Sequence, residues 1–118
     1  MNDLTIRELI CLFLLSRLDE SNDQSVAVTT NTIQLEACQW ASQHYDRTHA
    51  PSTWSRRWRE LREEFRASGE NSELARLAGV EEMIVADDSP KTHLLRQEVG
   101  FTAPERLTAP SNQMSRAA

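Results

Sequence analysis

Residues 6–18, IRELICLFLLSRL, carry apolar side chains on two opposite sides of one helix, and this constrains the fold more than any other feature. Thr5 and Glu8 form a T-x-x-E capping box at its start. Ile6, Leu9, Ile10, Phe13 and Leu14 share one face, and Leu4, Cys11, Leu15 and Leu18 form a stripe nearly opposite. A helix apolar on both sides must be covered on both sides. It is either the central helix of a core, or it packs on its own domain and on a partner. The second reading predicts a homodimer through Leu4, Cys11, Leu15 and Leu18. The polar run DESND at 19–23 ends the helix near Leu18.

A chain of 118 residues is expected to form one domain with one modest core. The apolar run is too short to span a bilayer, and Asp3 and Glu8 sit where a signal peptide would be basic, so a cytoplasmic protein with no membrane partner is expected. Cys11 and Cys38 both fall in apolar helical patterns and read as reduced core thiols.

Val26 to Thr30 alternates like a very short strand. A second helix follows over about 32–44, capped by Asn31 or Thr32, with Ala37, Cys38 and Ala41 facing inward. Residues 45–51 form a connector ending in Pro51. The third helix runs over about 52–67, with Ser52 or Thr53 as cap and Gly69 as stop. A brief helix fits 72–78, closed by Gly79. Val80 to Val99 reads as a β-hairpin with residues 87–91 in the turn. From Gly100 the periodicity fades, which divides the chain into a domain at 1–99 and a flexible tail at 100–118.

The third helix is where the chain's charge becomes informative. The net charge is −5, yet residues 47–66 hold six arginines against three glutamates, so this stretch is net +3 and the rest of the chain is −8. Trp54, Trp58, Leu61 and Phe65 are spaced by four, three and four, and so define its core face. Ser55, Arg59, Arg62 and Arg66 then fall along one flank, with Ser52 and Arg56 extending it near the start, while Glu60 and Glu64 fall on the other. A helix N-terminus favours anions, hydroxyls add donors, and guanidinium forks match phosphate oxygens or the major-groove edge of guanine. The bland alternative is a solvated helix laced by Arg56–Glu60 and Arg59–Glu63 pairs, each contributing only a few tenths of a kcal/mol.

The order helix, short strand, helix, connector, basic helix, hairpin resembles the winged helix-turn-helix family over residues 3–99. The segment PSTWSRRWRELRE, 51–63, is similar to its recognition helices, especially those of small bacterial and phage regulators. The resemblance implies an α+β fold, mainly α with a small β-hairpin: a three-helix core plus wing. It also implies sequence-specific binding of double-stranded DNA by a transcriptional regulator. Ser52, Thr53, Ser55, Arg56, Arg59 and Arg62 would face the groove, and Arg57, Arg47 and Lys91 would touch phosphates. The alternative is a protein-interaction module, such as a phage-type inhibitor, whose basic helix grips an acidic protein partner. The acidic hairpin tip, Asp87 and Asp88, fits that alternative better than it fits phosphate.

No Gly-rich phosphate loop, H-x-x-x-H pair or nucleophile elbow is present, so no enzymatic activity is expected. Cys38, His44, His49 and Asp46 match no metal-ligand spacing, so neither a metal nor another cofactor is expected.

Overall fold

The structure, a computed structural model, describes residues 4–104. Among these it has an α+β fold of four helices and one three-stranded antiparallel sheet. Helix α1 spans Ile6–Glu20. Its capping box closes reciprocally: the Glu8 amide donates to the Thr5 hydroxyl at 3.0 Å, and the Thr5 amide donates to the Glu8 carboxylate at 2.9 Å. Both apolar stripes are used within the chain. Leu9, Ile10, Phe13 and Leu14 are buried, and so are Leu4, Cys11, Leu15 and Leu18. α1 packs against the helices and the first strand around it, so it is the central core helix. The stripe expected to join two copies is therefore already covered and offers no dimer surface. Each fully buried leucine or phenylalanine contributes about 1.5–3 kcal/mol before ordering entropy is subtracted.

Strand β1, Ser25–Val28, leads into a composite helix α2 over residues 30–45, π-helical at Thr32–Ala37 and α-helical at Cys38–Tyr45. The cap is neither Asn31 nor Thr32. Asn31 already has helical backbone angles and makes no capping bond. Thr29 takes the role: the Thr32 amide donates to its hydroxyl at 3.0 Å, and the Thr29 amide donates to the Thr32 hydroxyl at 3.1 Å. Ala37 and Ala41 form the expected small inner face, Cys38 is half-buried, and Trp40 packs edge-on to Phe13 with ring centroids 5.9 Å apart.

Helix α3 spans Pro51–Ser68. Ala50 occupies the cap position without a side-chain bond, and Pro51 starts the helix. Ser52 and Thr53 thus lie inside the first turn and do not cap it. Trp54, Trp58 and Leu61 are fully buried and Phe65 partly so, as the spacing predicts. A short 3₁₀ turn, Gly69–Asn71, joins α3 to helix α4, Glu73–Ala78, which Ser72 caps and Gly79 closes at φ 75°.

Strands β2, Val80–Ala86, and β3, Ser89–Gln97, form the expected hairpin. Its turn is only Asp87 and Asp88, since Ser89, Pro90 and Lys91 already belong to β3. The hairpin is not alone: β1 pairs with β3, giving the order β1-β3-β2 with Val26 opposite Leu95 and Met83 opposite Leu95 on the other side. His93, Leu95 and Gln97 point inward from the central strand, while Leu94 and Arg96 face out.

The fold continues past the boundary expected at residue 99. Phe101 and Ala103 pack against the core, and the Glu98 amide donates to the Gly79 carbonyl at 2.7 Å. Residues 100–104 are thus part of the folded unit, and the rest of the expected tail, 105–118, lies outside the described residues.

Candidate nucleic-acid interface

With its indoles locked in the core, α3 divides its charges between two flanks. On one flank Glu60 and Glu64 meet Arg7 of α1, at 3.5 and 2.8 Å, and Glu73 of α4 closes the cluster at 2.5 Å from Arg7. Arg57 lies on this flank as well and donates to Glu60 at 2.8 Å. It is therefore part of an intramolecular ion-pair cluster, not of the surface expected to touch phosphate. Arg47 is also committed elsewhere. Its guanidinium donates to the Leu4 carbonyl at 2.7 Å and ties the α2–α3 connector to the start of the fold.

The other flank is different. Arg56 and Arg59 are exposed and form no ion pair among the described residues. Neither of the i,i+4 pairs of the bland reading is formed, and Glu60 is held by Arg7 and Arg57 instead. Ser52 is exposed, Thr53 and Ser55 are half-exposed, and the Ser55 hydroxyl donates to the Ser52 carbonyl at 3.1 Å. Arg62 is half-buried with its guanidinium 5.5 Å from the Trp58 ring, and its Nε is buried with no partner among the described residues. Burial lowers its pKa; Arg66 and Arg59 add to this, and Glu63 partly offsets it.

Lys91 is exposed on β3 and shares with Arg62 the rim of a cleft of about 520 Å³. Thr29, Thr30 and Asn31 at the start of α2 line the cleft too, as does His93. His93 is 5% exposed, with its ring edge-on to Trp58 and its Nε2 3.5 Å from the Arg66 guanidinium. Burial holds the imidazole below its ordinary pKa, and the Arg62 and Arg66 charges push it further down. The structure therefore brings together Ser52, Ser55, Arg56, Arg59 and Arg62 on one side of α3, with Lys91 nearby across the cleft. Sequence reasoning left Arg66, His93 and the start of α2 out of the site. Arg66 is visible in the 55, 59, 62, 66 spacing; the other two depend on sheet pairing that no local pattern encodes.

Among the described residues no cluster of His, Cys, Asp or Glu is placed to hold a metal ion. The Cys38 thiol donates to the His49 carbonyl at 3.7 Å, and burial raises the Cys11 pKa, keeping that thiol protonated. No described helix is long and apolar enough to cross a membrane. Comparison with protein-family models, with curated proteins and with solved structures finds no match to the chain.

Proposed function

We propose that the chain is a winged helix-turn-helix protein that binds double-stranded DNA sequence-specifically, with α3 in the major groove, and acts as a transcriptional regulator in the cytoplasm. The element order supports this reading: a helix, an edge strand, two long helices and a short one, then a hairpin whose second strand is central in the sheet. The single observation that carries it is the state of Arg56 and Arg59. Both are exposed and unpaired with any described carboxylate, on a helix anchored from behind by two fully buried tryptophans. Guanidiniums held on a rigid rod suit the O6 and N7 acceptors of guanine. Arg62 and Lys91 would neutralise phosphates on the side of the hairpin.

The test is a fluorescence-anisotropy titration of labelled duplexes selected from a random pool. The expected result is specific binding by the parent and its loss in the Arg56→Ala, Arg59→Ala double variant, with the fold retained. Equal affinity of the two proteins would overturn the assignment. A second reading, an acidic protein partner gripped by the same helix, is favoured by one observation: the exposed Asp87 and Asp88 at the hairpin tip, which repel a polyanion. Tight capture of one protein with no duplex affinity at low salt would select it.

A further inference from the structure

The cleft between α2 and β3 has a chemistry of its own. The first N–H groups of α2, at Thr30 and Asn31, have no carbonyl one turn earlier to accept them, and both residues line the cleft. The helix they open continues to Tyr45, so the positive end of its dipole points toward this space. Arg62 and Lys91 reach the same space from α3 and β3, and no carboxylate is among the described residues that line it. A second observation is independent of the helix end. His93, about nineteen-twentieths buried at 5% exposure, lines the cleft and leaves its Nδ1 without a partner among the described residues. The buried Arg62 Nε is orphaned in the same way. Two buried nitrogens without a protein acceptor among the described residues thus lie beside a cationic, acid-free opening.

We propose that this cleft is a seat for a phosphate group, gripped by the Thr30 and Asn31 amides, Arg62 and Lys91, with His93 in its wall. At about 520 Å³ the space exceeds a bare phosphate and falls in the range of small-molecule sites. The group can belong to a free phosphomonoester or to a duplex backbone. Arg56 and Arg59 do not line the seat, but it shares Arg62 and Lys91 with the proposed duplex contact, and the duplex source rests on that reading. Binding is linked to a proton. The charges facing His93 are Arg62 and Arg66 from α3, with Lys91 nearby on its own strand. The strands on either side present Val28 and Val85 at its register position. A phosphate offsets those cations, which raises the His93 pKa.

NMR titration of the parent chain at low ionic strength tests this, with inorganic phosphate and adenosine monophosphate in one arm and a short DNA duplex in the other. The expected result is a saturable shift of the Thr30 and Asn31 amides and an upward shift of the His93 imidazole pKa. If duplex blocks the monoester response, the backbone is the source; if the response survives saturating duplex, a free phosphomonoester is; both outcomes support the seat. Lys91→Ala should weaken the monoester response about threefold to tenfold. The Arg56→Ala, Arg59→Ala double variant should keep it even where duplex binding is lost, so failure of the groove reading and failure of the seat are separable. No saturable shift at these amides in either arm, or shifts that sodium chloride reproduces, overturns the proposal.

Discussion

Arg57 donates to Glu60 at 2.8 Å, on the side of α3 that faces Arg7. Arg56 and Arg59, close by in the chain, have no carboxylate partner among the described residues. One helical run of arginines is thus split by rotation alone into a structural member and a solvent-facing pair. Arg57→Ala is expected to change duplex affinity less than about threefold, whereas Arg59→Ala should lower it about tenfold or more. Anisotropy titrations of the two single variants on one selected duplex check this.

Arg7 is the hub of the opposite flank. Burial works against its charge, but the hydrogen bond to Glu73 and the charges of Glu73, Glu64 and Glu60 outweigh that and raise its pKa. Arg7→Leu leaves three carboxylates clustered without their shared cation. The expected loss is about 1–3 kcal/mol, between the values for exposed and fully buried pairs. A lower denaturation midpoint with an unchanged slope is the readout.

Gly79 closes α4 at φ 75°, and a Cβ there would run into the Phe101 ring. Gly79→Ala therefore meets both backbone strain and a clash, for an expected cost of about 2–4 kcal/mol. Adding Phe101→Ala removes the clash but not the strain. The double variant should be less destabilised than the sum of the two singles, which a double-mutant cycle of unfolding free energies measures.

His93 sets a pH dependence of stability. Its folded pKa lies below the ordinary value of 6.5, so the unfolded chain binds the proton more readily. Stability is then fully present above about pH 6.5 and falls as pH drops through the folded pKa. His93→Gln should flatten the slope of unfolding free energy against pH in that window.

Much of this fold is legible locally. The Thr5–Glu8 box, the 54, 58, 61, 65 core spacing, the brief helix with Gly79 as stop, and the hairpin are each written in a few adjacent residues. What escaped is what depends on distant partners. Arg47 looks like a free cation until Leu4 takes it up, and Glu60, which pairs with Arg57 one turn away, is fixed on that flank by the distant Arg7. The second stripe of α1 looks like an interface until neighbouring elements cover it. Phe101 looks like tail until Gly79 leaves room for its ring. The cleft beside Arg62 exists because residues of α2, α3 and β3 meet there, and sheet order is not a property of any one segment.

The central claim is that α3 offers guanidiniums to a polyanion, and the salt dependence of duplex binding tests it most directly. The logarithm of the association constant should fall linearly with the logarithm of salt concentration; the Arg56→Ala, Arg59→Ala variant should lose affinity for the selected duplex, since its guanidiniums read bases, whereas Lys91→Ala should make that slope shallower by about one for its lost phosphate contact. No duplex binding even at low salt, or a double variant whose affinity matches that of the parent, would contradict the account.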